Sequence, residues 1–378
     1  MLIVRAEMTH CPLRSPRGSN EVHIVRPEQW RAIQRVAKRD VAGEVPVALI
    51  VDSPWIPGHL GLNQLDYYLD PRLWFESNLS VYEQFPGITF VPSWWVEYGM
   101  AIEPSALGCK ICFGEDRPPD IVPVLKDIQD AAGISAANPA SDGFMPLALR
   151  LYATQRQRIF DAGHIIPFAT ARGPLCLASF LRGMTGLMLD LTEHRAAVHA
   201  LLDVLTKTVI RWLEAQCETI GDCVGGVFIL DDVPGMLSRQ LYQEFAHPYL
   251  KRVFDAFPKE WVKMYHNDAN IKPFASDLAD LGIDVLNWSH RFAIPDALHA
   301  TGGKLCLMGN VAPLELGVCG SPEDVKAAAL AALSQAADRP FVLSLGGGTS
   351  PGMPGANVQA LVDAATEWNR VKRSASPA

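Results

Sequence analysis

Met264-Tyr265-His266-Asn267-Asp268 closes one apolar run of the chain, and Gly346-Gly347-Gly348-Thr349-Ser350-Pro351-Gly352-Met353-Pro354 closes a later one. The first segment puts a His-x-Asp pair at the exposed end of a predicted strand. The second puts a glycine-rich loop in the same place on another. Alternate residues of a strand point to the same side, so His266 and Asp268 share a face. Such a pair can chelate a divalent metal or act as a base with its partner. A histidine merely held in place by a hydrogen bond is the plain structural alternative.

Working outward, short apolar runs alternate with amphipathic helices, the pattern of an α/β fold. Eight runs read as strands: Val47–Val51, Ile88–Val91, Ile166–Thr170, Val227–Leu230, Val262–Tyr265, Val285–Trp288, Leu305–Met308 and Phe341–Leu345. Helices are predicted over Arg195–Ile220, Leu241–Phe257 and Pro322–Ala337, the last with a start signal at Ser321. The count predicts a single (β/α)8 TIM barrel over residues 46–372, preceded by an N-terminal arm and helix (1–45, helix Pro27–Asp40) and followed by a flexible tail, 373–378. The connection from Pro92 to Arg158 is too long for a simple βα loop. It reads as an insertion after the second strand, with a hairpin over Ala101–Gly114 and a helix over Asp120–Gln129, and insertions of this kind often serve as lids.

The chain of 378 residues has a formal charge of −8 and no basic run, which argues against nucleic acid or an anionic membrane as partner. No apolar run is long enough to span a bilayer, and Met1–Arg5 is too short for a signal peptide. The eight cysteines read as reduced thiols of a cytoplasmic protein. Cys109-x-x-Cys112 alternates like a strand, whereas a redox pair normally opens a helix.

In a barrel the chemistry sits at the C-terminal strand ends. Those positions hold Asp52 and Trp55; Trp94, Trp95, Glu97 and Tyr98; Arg172; Asp231 and Asp232; His266 and Asp268; Asn287 and His290; and Gly347. Of the adjacent Asp231 and Asp232, only one can point inward. Close carboxylates raise one pKa and offer a proton donor or a cation ligand. Trp55, Trp94, Trp95 and Trp288 would form an aromatic pocket for a flat or apolar ligand, although core packing explains any one of them equally well. The triple glycine lacks the lysine of a phosphate loop and reads as close backbone approach.

Together these segments resemble the uroporphyrinogen decarboxylase superfamily over roughly Val47 to Trp368. The markers are Glu103–Gly108 with Ala106-Leu107-Gly108, Gly173-Pro174-Leu175, Asp231-Asp232 with Leu237-Ser238 and Tyr242–Pro248-Tyr249-Leu250, His266-Asn267-Asp268, Gly282-Ile283-Asp284, Gly309-Asn310-Val311-Ala312-Pro313 and Pro351-Gly352-Met353-Pro354. The true decarboxylases carry an N-terminal Arg-Gln-Ala-Gly-Arg type signature, which has no match in Met1–Asp52. The histidine strand and the Pro-Gly-Met-Pro loop bring the chain nearer to the corrinoid-dependent, methylcobalamin:coenzyme M methyltransferase-like branch. There the corresponding segments read His-x-Cys and Gly-Cys-Gly and bind zinc. Here Asp268 and Gly347 stand at the cysteine positions, so the resemblance implies at most a weakly held ion on His266 and Asp268, with Glu97, Asp232 and Cys306 as more distant candidates.

The activity implied by the resemblance is methyl transfer (demethylation) between a small methylated or methoxylated compound and a corrinoid. The chain has no Asp-x-His-x-x-Gly motif, so a methylcobalamin-type cofactor would arrive on a separate corrinoid protein. Asp232, His266 and Asp268 are then the catalytic candidates, with Asp232 or His266 protonating the leaving group. Asp52, the mouth aromatics, Glu97, Arg172, Asn287, His290 and Gly347 would line the substrate, and a homodimer is compatible with the pattern. Two rival readings are a cofactor-independent decarboxylase or lyase on a small carboxylic acid, gripped by Arg172, and a barrel that has lost catalysis.

Overall fold

The computed structural model describes residues 27–51 and 54–375. Eight strands run parallel. They are β1 (Ala48–Ile50), β2 (Thr89–Val91), β5 (Phe168–Arg172), β6 (Gly226–Leu230), β7 (Val262–Asn267), β8 (Val285–Trp288), β9 (Cys306–Val311) and β10 (Phe341–Leu345). Between β2 and β5 lies a short antiparallel pair, β3 (Lys110–Cys112) with β4 (Asp120–Val122). Strands β5 to β10 form one six-stranded ladder in chain order, β1 pairs with β2, and a bridge from Val47 to Leu343 joins the two ladders. The molecule is thus an α/β fold with a central parallel sheet flanked by helices, in a distorted barrel-like arrangement.

Strand alternation sorts the core into two clusters. Ile50, Val91, Phe168, Phe228, Leu230, Met264, Val285, Met308 and Val342 belong to the inner cluster. Their neighbours Leu49, Phe90, Ala171, Ile229, Tyr265, Leu286, Leu307 and Leu343 pack outward under the helices. The helix Pro27–Ala37 begins with proline at its first position and Glu28 in its first turn, both favourable there. It buries Trp30, Ile33, Val36 and Ala37 on one face, against the inner cluster. Trp30 meets Phe168, the first residue of β5, at 4.9 Å between ring centroids. Lys38 ties down the same end through Asp284 at 2.9 Å. The helix therefore stoppers the N-terminal end of the strands, and among the described residues the C-terminal end is the open one.

The expected closed ladder is not complete: among the described residues β2 and β5 do not pair. The exposed edge of β5 is satisfied by side chains instead. Gln216, on the long helix Arg195–Ile220, accepts from Thr170 N at 3.1 Å and donates to Thr170 O at 2.9 Å, as a neighbouring strand would. Glu103 from the insertion accepts from Arg172 N at 2.9 Å. Buried backbone groups must find partners, and here side chains provide them.

Other expectations shift locally. The hairpin begins at Lys110 rather than Ala101, because Ile102–Ala106 is helical. Asp120–Val122 is a strand rather than the start of a helix; Pro123 disfavours helical geometry at Val122. The helix predicted over Leu241–Phe257 is two, Arg239–Phe245 and His247–Asp255, since Pro248 cannot donate to a continuous ladder. The last helix runs through Ala375, past the predicted start of a tail. No single helix among the described residues is long and apolar enough to cross a membrane.

The seam yields a stability prediction. Gln216→Leu leaves the buried Thr170 N–H and C=O unpaired and should cost about 2–4 kcal/mol, read as a lowered midpoint of urea unfolding. A change below about 0.5 kcal/mol, the scale of an ordinary surface substitution, would show that the seam does not depend on this amide.

Candidate active site

Register carries the site. Arg172 lies beside Leu230, Leu230 beside His266, His266 beside Asn287, and Asn287 beside Met308. Leu230 and Met308 belong to the inner cluster, so alternation turns His266, Asn287 and Arg172 to the same side, in the layer at the open end.

Asn287 is fully buried and its orientation is fixed. Its Nδ2 donates to Met308 O at 2.8 Å and Leu345 O at 3.0 Å, which leaves Oδ1 facing His266 Nδ1 at 2.7 Å. A carboxamide oxygen can only accept, so Nδ1 carries the hydrogen. Nε2 is then the ring nitrogen that faces the open end. Two carboxylates await it there: Asp232 Oδ1 at 3.5 Å and Asp268 Oδ2 at 3.9 Å. The backbone N–H of Asp268 donates to Asp232 Oδ1 at 3.1 Å, which holds the two acids together. Partial burial pushes the Asp268 carboxyl up from its ordinary value; Asp232 adds to this and His266 offsets it.

The ligand atoms of Asp232, His266 and Asp268 all lie within 4.8 Å of one another, and among the described residues no cysteine joins the group. A nitrogen and carboxylate set with the far imidazole nitrogen hydrogen-bonded suits a hard or borderline divalent ion. It does not suit the thiolate-bound zinc of the resembling branch. Cys306 sits in the inner hydrophobic cluster, where burial raises its thiol pKa. Gly347 lies beside the acids: a Cβ there would come 3.0 Å from Asp268 Oδ2, and its φ of 143° favours glycine.

Asp231 and Asp232 divide their work as strand geometry requires. Asp231 turns away from the mouth and is fully buried. Its carboxylate accepts from Leu175 N at 3.2 Å and Cys176 N at 2.9 Å, at the start of the helix Pro174–Arg182. Burial pushes its pKa well up, with Asp232 adding to this and the two amides offsetting it. Its carbonyl accepts from Tyr265 Oη at 3.0 Å and Asn267 Nδ2 at 2.8 Å. Gly173 is obligatory beside it, since a Cβ would fall 2.2 Å from Asp231 Oδ2.

Around the mouth, Arg172 pairs with Glu97 at 2.9 Å, both buried, and its guanidinium lies 5.1 Å from the ring centre of the half-buried Trp95. Tyr98 and Glu97 line a small recess with Trp95, Tyr67, Tyr68 and Trp74. In this insertion Ser93, Trp94, Tyr98 and Met100 all have positive φ, a strain of order 1–3 kcal/mol each that tends to mark functional segments. His290 has its Nε2 3.7 Å from Glu315. Asp52 lies outside the described residues. The predicted four-tryptophan pocket is corrected: Trp55, Trp94 and Trp288 are fully buried in the outer core, and Trp55 and Trp288 spend their N–H on Met353 O and Phe292 O. The sequence reading also missed Gln216, which no local pattern marks, took Glu103 only as the start of a family marker and not as a partner of Arg172, and cast Asn287 as a substrate contact rather than the partner of His266.

A model of the uroporphyrinogen decarboxylase (URO-D) family matches residues 59–368, and the chain belongs to that family. Uroporphyrinogen decarboxylase of Chlorobaculum parvum is 32% identical over 173 residues, 44% of this chain and 47% of that protein. The match thus spans about half of that relative's length. Uroporphyrinogen decarboxylase of Anaeromyxobacter sp. is 27% identical over 256 residues, 66% of this chain and 71% of that one. Among solved structures, a methyltransferase from Methanosarcina mazei superposes with a TM-score of 0.75 at 22% identity, over 91% of this chain and 99% of that chain, a likeness of fold. The chain therefore has an enzymatic fold shared by proteins named for decarboxylation and for methyl transfer.

Two predictions follow from this geometry. In ¹⁵N NMR the Nδ1 of His266 should carry a hydrogen, and Asn287→Leu should let that hydrogen be lost from Nδ1 in part of the molecules; an Nδ1 without hydrogen in the unaltered protein would contradict the assignment. Zinc or manganese titrated calorimetrically should bind weakly, be removed by chelator and be lost in His266→Ala. Stoichiometric zinc that survives dialysis against chelator would count against an oxygen and nitrogen site.

Proposed function

We propose that the protein is a methyltransferase acting as a demethylase, moving a methyl group from a small methylated or methoxylated compound to a corrinoid carried by a partner protein. The observation that carries this reading is His266, held by Asn287 with Nε2 aimed at Asp232 and Asp268 at the open end. The corrinoid supplies the nucleophile that accepts the methyl group. The chain's own task is the leaving atom: an alkoxide or phenoxide must gain a proton as its bond to carbon breaks. His266 protonated at Nε2, or a protonated carboxyl of Asp232 or Asp268, delivers it there. Asp268, pushed up by partial burial and by Asp232, holds its proton to higher pH than an ordinary aspartate. A divalent ion on the same three side chains would polarise the leaving oxygen instead. The fold likeness to a methyltransferase supports the reading, as does the ion pairing of Arg172: among the described residues it is the only arginine in the eight parallel strands, and Glu97 balances its charge. A substrate with many carboxylates would need more cations than this.

The second reading, a decarboxylase or lyase acting on a small acid, is favoured by the same arginine and by the names of the sequence relatives. Reduced cob(I)alamin with a panel of methylated donors separates the two by absorbance. His266→Ala and Asp232→Asn should each slow transfer by about 10²–10⁴, the usual cost of losing a general acid, with a much smaller effect on donor binding. Equal rates in the variants would remove these residues from the chemistry.

A further inference from the structure

We propose that Arg172 is the anchor for a carboxylate on the substrate, with the Glu97 carboxylate occupying its place until the substrate arrives. The inference rests on the methyl-transfer reading only for what the substrate carries, and it names the class: a small monocarboxylate with a flat apolar body bearing the methyl group.

Four observations converge on it. By alternation from Phe168, Arg172 faces the inside of the strands. Among the described residues it is the one permanently cationic side chain on their inner faces, since Lys263 lies between the inward Val262 and Met264 and points outward. The register sets it two strands from His266, about 10 Å across the sheet. That spacing places an acid group and a leaving atom at opposite ends of a body about one ring long. Its guanidinium is already engaged by a carboxylate, Glu97 Oε2 at 2.9 Å, with both side chains buried.

A buried pair of this kind is costly to desolvate, and a planar guanidinium is matched to carboxylate geometry. Glu97 therefore shows which chemistry the position accepts. It belongs to the insertion rather than to the strands, in a segment where Ser93, Trp94, Tyr98 and Met100 have positive φ. Trp95, 5.1 Å from the guanidinium, and Tyr98, beside Glu97 in the recess, offer aromatic faces for the body of the ligand. Glu103 fixes the backbone of Arg172 from the other side at 2.9 Å, so the anchor is held while its counter-ion can be exchanged.

The test is calorimetric binding of benzoate and 4-methoxybenzoate against their neutral amides, to the full chain without corrinoid. The acids should bind at least tenfold more tightly than the amides. Arg172→Gln should abolish that preference, and Arg172→Lys should restore only part of it. Glu97→Gln should tighten acid binding severalfold, a gain that misfolding cannot mimic. Equal binding of acid and amide, no acid binding to either the unaltered protein or Glu97→Gln, or unchanged acid binding in a folded Arg172→Gln protein would each overturn the anchor. Acid binding without any transfer to cob(I)alamin would leave the anchor standing and overturn the methyl-transfer reading, so the two fail separately.

Discussion

One buried carboxamide sets the terms of the site. Asn287 donates to carbonyls of β9 and β10 and receives the Nδ1 hydrogen of His266 on β7. Three strand ends are tied through a side chain that cannot flip without leaving two carbonyls and an imidazole unsatisfied, each at a cost of about 1–3 kcal/mol. Everything downstream inherits this constraint: the aim of Nε2 and the approach of Asp232 and Asp268 to it. A histidine without this partner could turn either ring nitrogen to these acids.

The second constraint is the asymmetry of the two ends of the strands. The helix Pro27–Ala37 and the Lys38–Asp284 pair occupy the N-terminal end, so among the described residues the other end is the one left to a ligand. The side chains there offer oxygen and nitrogen donors without thiolate, unlike the zinc ligands of the branch the sequence resembles. Asp231 supports this from behind. By capping the helix Pro174–Arg182 and accepting from Tyr265 and Asn267, it holds the turn that presents Asp232.

Much of this was legible in the sequence, for a physical reason. Strands buried on both faces are continuous apolar runs, so Val285–Trp288 and Phe341–Leu345 could be bounded to the residue, and the others to within a few residues. His266 and Asp268 could be paired because alternation is local. What alternation could not give was long-range partnership. Gln216 completing the edge of β5 and Glu103 reaching Arg172 both depend on how distant segments dock. Trp55 and Trp94 were misplaced because a strand end does not say which way the next bulky side chain turns, and Trp288 because alternation from the inward Asn287 sends it outward; all three lie in the outer core. The role of Asn287 was hidden for a simpler reason: an asparagine at a strand end is an ordinary turn residue until its two carbonyl partners are seen.

The central claim is that this site breaks the bond to a methyl group rather than the bond to a carboxyl carbon. A methoxylated acid labelled with deuterium in the methyl group and ¹³C in the carboxyl group tests it directly. Incubated with the protein and reduced cobalamin, and followed by mass spectrometry, the substrate should lose the deuterated methyl to the corrinoid and keep its ¹³C as the demethylated acid. Release of ¹³CO₂ with the deuterated methyl retained would contradict the account.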